Sequence, residues 1–300
     1  MIKYPYSKPQ IVKADINAVT KVLEKGYLTQ GPVIKEFEKR ISNKFGSKYA
    51  IVCNSGTAAL HLVYKALGLG PKKALLTSPI TFLATANAAK MCDAEVFFAD
   101  VDQNTGLLTP KSVEKVLKTN SKIGVIAVVH LGGQLCDIKG IQRVAKKYSC
   151  LVIEDACHAP GLNNSSFTVG DCKYSDAATF SFHAIKIITT CEGGAITTNN
   201  TSIFHKIKLM RTNGITRDNK KNLNKNKWYY QQKTLGYNFR MNEIQAALGL
   251  SQIKKMKHFI KKRNKIAIFY KSHLNNLPIS FQSINNKSVT SYHLFTIIIN

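Results

Sequence analysis

The sequence of 300 residues lacks the features typical of exported, membrane-spanning and disulfide-stabilised proteins. Its first ten residues, MIKYPYSKPQ, contain no apolar stretch of the kind found in a secretory signal. No apolar run elsewhere is long enough to span a bilayer. The seven cysteines are odd in number and show no CxxC spacing, which predicts reduced thiols and no metal site. We therefore expect a globular protein of the cytoplasm, without a membrane partner.

Acidic residues are scarce, since 17 Asp and Glu stand against 43 Lys and Arg, for a formal net charge of +26. Among residues 201–300 only Asp218 and Glu243 are acidic. Nucleic-acid binding has to be weighed on this ground, but charge alone supports it, because no RNA-binding signature accompanies the basic stretches. We expect a solvated basic surface and no nucleic-acid partner. Its positive field would still attract an anionic small substrate.

The sequence does contain a regular alternation of apolar runs and amphipathic segments. The runs YAIVCN, KALLTS, AEVFFAD, IGVIAVVH and CLVIED predict strands that are buried on both faces. Segments with helical spacing of apolar residues separate them. Two further short strands are predicted in AATFSF and GAITT. The pattern predicts an α/β fold with a mostly parallel sheet covered by helices.

The pattern changes after residue 240. A long helical pattern without internal proline covers residues 240–273, and the last ten residues, SYHLFTIIIN, predict a strand without a partner. We expect a large domain at 1–240 and the start of a small α/β domain at 241–300, truncated before it is complete. The polar, lysine-rich stretch 217–227 predicts a mobile loop.

Polar residues follow two of the predicted strands, at the edge where open α/β sheets bind ligands. In CNSGTAAL a strand, a turn and a helix follow one another. This order is typical of a phosphate site or of an ordinary helix cap at Ser55 or Thr57. In VIEDACHA a buried strand closes with Glu154 and Asp155, and His158 follows. A carboxylate there could bind a protonated ring nitrogen, cap a helix or form a buried ion pair.

Two later segments carry further candidates. In FSFHAIKIITTCEGGA a strand ends at Ser181, and Lys186 follows within an apolar run. Burial disfavours the charged form of a lysine and leaves a nucleophilic amine suited to a Schiff base; the alternative is a lysine whose head reaches solvent. In LGYNFRMNE, Asn238 and Arg240 precede the long helix, where helix capping is the alternative role.

These four segments together contain the groups that pyridoxal 5′-phosphate requires. The cofactor needs a phosphate site, a carboxylate for its pyridinium nitrogen, a lysine for its carbonyl carbon and a ring on which to stack. Phe82, in SPITFLATAN, is the candidate for stacking, although a phenylalanine in an apolar run is more often part of a core.

The segments YPYSKP, YLTQGP, NSGTAALH, EDACHA, FSFHAIKIITTCEGGA and LGYNFRMNEIQAALGLSQI resemble the DegT/DnrJ/EryC1/StrS family of sugar aminotransferases. The resemblance covers essentially the whole chain and implies a pyridoxal-phosphate-dependent transferase of fold type I, like aspartate aminotransferase. WYYQQKTLGYNFRMNEIQAALGLSQI is most similar to one branch, the UDP-4-amino-4,6-dideoxy-N-acetyl-β-L-altrosamine transaminases of pseudaminic acid synthesis.

The resemblance implies a role for each candidate. The catalytic pair is Lys186, which carries the cofactor as a Schiff base and moves the proton, and Asp155, which pairs with the pyridinium nitrogen. The further cofactor contacts are Gly56, Thr57 and Ser181 at the phosphate, Phe82 on the ring, His158 near its phenolic oxygen and Asn238 from the second subunit of a homodimer. The nucleotide sugar is bound by Tyr6, Gly26, Tyr27, Leu28 and Thr29.

The implied reaction moves the amino group of L-glutamate to C4 of a UDP-linked 4-keto-6-deoxy-N-acetylhexosamine. One alternative is a nucleotide-sugar aminotransferase that acts on a dTDP- or GDP-linked 3- or 4-keto sugar. Another is a truncated chain that binds the cofactor without turnover. Dehydratases of the family have histidine in place of the lysine, so Lys186 disfavours that activity. The family often has histidine at the position of Asn213, a difference that bears on sugar preference.

Overall fold

The computed structural model describes residues 7–216, 229–284 and 290–299. Within them the helices are α1 (Lys13–Lys25), α2 (Pro32–Phe45), α3 (Gly56–Ala66), α4 (Ala84–Lys90), α5 (Pro110–Leu117), α6 (Ile138–Lys147), α7 (Thr201–Met210) and α8 (Glu243–Leu274). The strands are β1 (Tyr49–Cys53), β2 (Ala74–Thr77), β3 (Val96–Phe98), β4 (Ile123–Val129), β5 (Leu151–Asp155), β6 (Ala177–Ser181), β7 (Gly194–Thr198), β8 (Ile215–Thr216), β9 (Gln231–Gln232), β10 (Ile279–Phe281) and β11 (Ile297–Ile299).

A seven-stranded sheet with the order β1-β7-β6-β5-β4-β2-β3 forms the centre of the fold. The five strands β6, β5, β4, β2 and β3 run parallel to one another. Only β7 is antiparallel, to both β1 and β6. The prediction of an α/β fold with a mostly parallel sheet is confirmed, and its strands coincide with the apolar runs of the sequence.

Successive strand residues point to opposite faces, and each face has its own core. On β1, Ile51 packs in the core under α3, α4 and α7. Its neighbour Val52 packs on the opposite face with α2 and α8. On β4, Val125 packs in the same core as Ile51, and its neighbour Ile126 packs on the opposite face against α5 and α6. Helices therefore cover both faces of the sheet, and ligands have access at the strand ends.

Helix α8 begins at a cap that the sequence analysis did not identify. The side chain of Asn242 accepts a hydrogen bond from the Gln245 N–H at 2.8 Å, and the side-chain oxygen of Gln245 accepts one from the Asn242 N–H at 3.1 Å. The alternative role of Asn238 and Arg240 as caps is therefore wrong. The first half of α8 shares the core of α2 through Ile253. A domain boundary after residue 240 stays a prediction.

The chain end departs from its predicted strand. Only Ile297–Ile299 form a strand, and they pair with β10, so the expectation of an unpartnered strand over 291–300 is wrong. The reason is that the backbone N–H groups of Ser291 and His293 donate instead to Gly133 and Gly132, between β4 and α6. Helix α7 was not predicted at all. The predicted loop at 217–227 lies outside the described residues.

No helix in residues 7–216, 229–284 and 290–299 is long and apolar enough to cross a membrane. All seven cysteines lie in these ranges, and all are free thiols.

Candidate functional site

A cavity of about 600 Å³ opens at the carboxyl ends of β5 and β6. This size is within the range of small-molecule and cofactor sites. Residues from six separate parts of the chain line it: the start of α3, the segment before and at the start of α4, the end of β4 with Leu131, the loop after β5, the loop after β6, and the segment around residue 293. Seven sequence-predicted residues meet there: Gly56, Thr57, Phe82, Asp155, His158, Ser181 and Lys186.

The start of α3 forms one end of the cavity. The Ser55 side chain accepts a hydrogen bond from the Ala58 N–H at 3.1 Å, so the predicted cap role of Ser55 is confirmed. The helix offers no acceptor to the N–H groups of Gly56 and Thr57. A Cβ on Gly56 would lie 2.8 Å from the Ser181 Cβ, so glycine lets the helix approach that hydroxyl. Two N–H groups, a hydroxyl and the helix dipole together suit a phosphate.

Asp155 lies at the floor of the cavity and is only 6% exposed. Its Oδ2 accepts a hydrogen bond from the Thr85 hydroxyl at 2.6 Å, and its Oδ1 accepts one from the Cys157 N–H at 3.3 Å. These contacts hold the carboxylate in one orientation. Thr85 was not predicted as a site residue, because nothing in the sequence of α4 indicates that its hydroxyl reaches β5.

The neighbouring carboxylate, Glu154, points to the opposite face of the sheet. It lies 3.1 Å from His130 Nε2 and accepts a hydrogen bond from the Ser175 hydroxyl at 2.6 Å. Because successive strand residues point to opposite faces, the two carboxylates have different surroundings. Glu154 forms the buried ion pair or hydrogen bond with histidine, and Asp155 faces the cavity.

Lys186 is half-buried in the loop between β6 and β7, and its amine lines the cavity. Its Nζ lies 3.5 Å from Nε2 of His293. The side chain is neither fully buried nor on the open surface, so both predicted roles of Lys186 stay predictions. The contact with His293 spans 107 residues of chain, so no local sequence signal could have indicated it.

His158 lies between the floor of the cavity and the segment around residue 293. Its Nδ1 accepts a hydrogen bond from the Gly132 N–H at 3.3 Å, and its ring centroid lies 4.4 Å from that of His293. Burial lowers the pKa of His158 to about 4, and the charge of Lys186 acts in the same direction. His158 is therefore neutral at neutral pH, with Nε2 carrying the hydrogen.

Phe82 is 70% exposed and lines the cavity. The alternative assignment of Phe82 to the core is therefore wrong. An exposed phenylalanine beside a cavity is available to stack on a planar ligand.

The structure does not bring every predicted residue to this cavity. Asn238 is exposed, lies outside the lining and pairs its backbone with Thr212. Gly26, Tyr27, Leu28 and Thr29, which follow α1, are also exposed and outside the lining. Tyr6 lies outside the described residues. The roles of all six in binding stay predictions.

The groups that line the cavity fit pyridoxal phosphate. The start of α3 with Ser181 offers donors for a phosphate, Asp155 is a buried acceptor for a ring N–H, and Lys186 offers an amine to a carbonyl carbon. The close approach of α3 to β6, which only glycine at position 56 permits, brings the phosphate donors to one point. In the described residues no group of three or more His, Cys, Asp or Glu could hold a metal ion.

Comparison with known sequences agrees with this fit. A model of the DegT/DnrJ/EryC1/StrS aminotransferase family matches residues 9–300. A UDP-4-amino-4,6-dideoxy-N-acetyl-β-L-altrosamine transaminase of Campylobacter jejuni is 40% identical over 296 residues, which are 98% of this chain and 76% of the relative. A GDP-perosamine synthase of Caulobacter vibrioides is 38% identical over 250 residues, 82% of this chain and 63% of the relative.

Solved structures show the same fold. Helicobacter pylori PseC, an aminotransferase of pseudaminic acid biosynthesis, superposes with a TM-score of 0.90 at 34% identity, over 99% of this chain and 78% of PseC. A putative sugar aminotransferase of Streptococcus pneumoniae, in its PLP form, gives 0.89 at 26% identity over the same shares. The matches take in nearly all of this chain, and they do not support the expectation of truncation.

Proposed function

Since this chain belongs to the DegT/DnrJ/EryC1/StrS aminotransferase family, we propose that it transfers the amino group of L-glutamate to C4 of a UDP-linked 4-keto-6-deoxy-N-acetylhexosamine. The chain is a pyridoxal-phosphate-dependent nucleotide-sugar aminotransferase of fold type I. The choice of sugar, for a pseudaminic acid-type surface sugar, is the proposal. The meeting of Lys186, Asp155 and the start of α3 at one cavity supports the transamination, and the similarity to the altrosamine transaminase supports the choice of sugar.

Two residues do the chemistry in this proposal. Bound pyridoxal phosphate supplies an electron sink for the carbon that gains or loses the amino group. Lys186 would hold the cofactor through its amine, and the same amine would remove and return the proton at that carbon. The Asp155 carboxylate, which the Thr85 hydroxyl holds in place, would accept the ring N–H and keep that nitrogen protonated.

The other cavity residues bind and orient the cofactor. Gly56, Thr57 and Ser181 would donate to the phosphate, and Phe82 would cover one face of the ring. His158, which is neutral, would donate from Nε2 to the phenolic oxygen of the ring. The net charge of +26 would raise the local concentration of an anionic nucleotide sugar.

A homodimer with shared active sites is part of the proposal. Asn238 is exposed and does not line the cavity of its own chain, which is compatible with a contact to the phosphate bound by a second copy. Mixing inactive Lys186→Ala with an inactive Asn238→Ala chain should then restore activity, because one site of the mixed dimer keeps both residues. A mixture without activity would contradict sharing. The cytoplasmic location, and the domains 1–240 and 241–300, stay predictions.

The proposed substrate is tested with the purified chain, pyridoxal phosphate and L-glutamate. A UDP-linked 4-keto-6-deoxy-N-acetylhexosamine should give 2-oxoglutarate and the 4-amino sugar, identified by mass spectrometry. Matched dTDP- and GDP-linked sugars should react at least about tenfold more slowly. A faster reaction of a GDP- or dTDP-sugar, or of a 3-keto sugar, would overturn the choice of substrate. Cofactor binding without reaction of any sugar would contradict the transaminase function.

A further inference from the structure

The segment 290–294 forms one wall of the cavity and is held from two sides. From the loop after β4, Gly132 O accepts the His293 N–H at 2.8 Å and Gly133 O accepts the Ser291 N–H at 3.1 Å. From α8, Arg263 donates to the carbonyl groups of Tyr292 and His293, both at 3.2 Å. These contacts fix the backbone of residue 293 and hence the place of its side chain.

The side chain of His293 is 8% exposed and faces the Lys186 amine. Its Nε2 lies 3.5 Å from Lys186 Nζ, and its ring packs on His158. Its Nδ1 is buried and has no hydrogen-bond partner among the described residues. A buried polar atom without a partner costs about 1–3 kcal/mol. Among the described residues the one hydrogen-bonding contact of the His293 ring is therefore the contact with Lys186.

The charge state of His293 follows from its surroundings. Burial, with His158, Lys186 and Arg263, lowers the pKa of His293 to about 2. The titratable and charged groups that face it are Lys186 after β6, His158 after β5 and Arg263 of α8, and none of them is an acid that would favour an imidazolium. The ring is therefore neutral, and with hydrogen on Nδ1 it presents the lone pair of Nε2 to Lys186.

We propose that His293 is a positioning residue for Lys186, whose amine it holds by accepting a hydrogen bond whenever that amine is free of the cofactor. The proposal rests on the proposed function, in which Lys186 must take and return a proton. A free lysine side chain carries about 2 kcal/mol of rotamer entropy, which a contact at its tip restricts. A neutral imidazole stabilises the ammonium without taking its proton, whereas a carboxylate would bind the ammonium strongly and oppose the return of the proton.

The contact is tested in the cofactor-free chain by the rate at which acetic anhydride labels Lys186, measured by peptide mass spectrometry from neutral to alkaline pH. His293→Phe keeps a ring against His158 but has no acceptor, so the ammonium loses a hydrogen bond. The labelling midpoint, which is the pH at which Lys186 is labelled at half its maximal rate, should be lower in this variant by about one unit. His293→Gln, whose amide oxygen accepts, should keep the wild-type midpoint. His61→Phe is the matched control, since His61 is a buried histidine with an unpartnered nitrogen and does not line the cavity.

Equal midpoints in wild type, His293→Phe and His293→Gln would overturn the proposal. A shift of the same size in Phe and Gln would also overturn it, because the ring and not its acceptor would then matter. If His293→Phe does not fold, His293→Leu carries the same expectation. A wild-type chain without a visible cofactor band would contradict the proposed function. A normal band together with equal labelling midpoints would contradict only the role of His293.

Discussion

The cavity has two walls that are built in different ways. The first consists of the start of α3 and the ends of β5 and β6, and ladders of the central sheet hold it. The second is the segment 290–294, which is held outside the sheet by hydrogen bonds to Gly132, Gly133 and Arg263. The first wall carries the groups that bind and react. The second carries a group that contacts one of them, so chemistry and positioning come from structurally separate parts of the chain.

The largest expected effect comes from the first wall. Lys186→Ala removes both the covalent attachment and the proton carrier, so amino transfer should fall by about a thousandfold or more. The fold should persist, since Lys186 is only half-buried. Lys39→Ala, an exposed lysine of α2, is the control and should keep full activity. Residual turnover of Lys186→Ala near the wild-type rate, measured by 2-oxoglutarate release, would contradict its role.

A pair of neighbouring carboxylates sharpens the comparison within the first wall. Asp155→Asn keeps the shape but removes the charge that holds the ring nitrogen protonated, so kcat should fall by about a hundredfold with little loss of stability. Glu154→Gln, on the other face, should instead lower the free energy of unfolding by about 2 kcal/mol through His130 and Ser175. Urea unfolding and kcat measured on both variants test this separation. A reversed pattern would mean that the two roles are exchanged.

The second wall is tested at Gly133, which has a φ of +96°. A Cβ there would overlap the Ser291 hydroxyl, so Gly133→Ala should push the segment away and lower the free energy of unfolding by about 3 kcal/mol. Combining it with Ser291→Ala removes the overlapping atom and should recover part of the loss. A double variant no more stable than the sum of its single changes would show that the two residues do not interact in this way.

The smallest effect concerns pH. The pKa of His158 is lowered from 6.5 to about 4, so between these values the unfolded chain binds a proton that the folded chain does not. Stability is therefore full above pH 6.5 and falls as the pH drops towards 4. His158→Gln should lose that part of the pH dependence in urea unfolding, and His273→Gln, at an exposed histidine, should not. An unchanged slope in His158→Gln would contradict the shift.

The sequence predicted the first wall well because each of its parts is local. A buried strand, a turn and a helix start follow one another in residues 49–66, and Asp155 ends an apolar run. The second wall could not be predicted, because its contacts join residues far apart. SYHLF has the pattern of a strand, yet its backbone bonds to two glycines more than 150 residues earlier in the chain. Strand alternation predicts opposite directions for Glu154 and Asp155, but the structure was needed to show that Asp155 is the one that lines the cavity.

The most direct test of the central claim is the visible absorption spectrum of the purified chain with pyridoxal phosphate, before and after addition of L-glutamate. Wild type should show a band from cofactor bonded to Lys186, and the band should bleach as the amino group is taken up. Lys186→Ala should show only the spectrum of unattached cofactor. A folded wild-type chain without the band, or a band that L-glutamate leaves unchanged, would contradict the account.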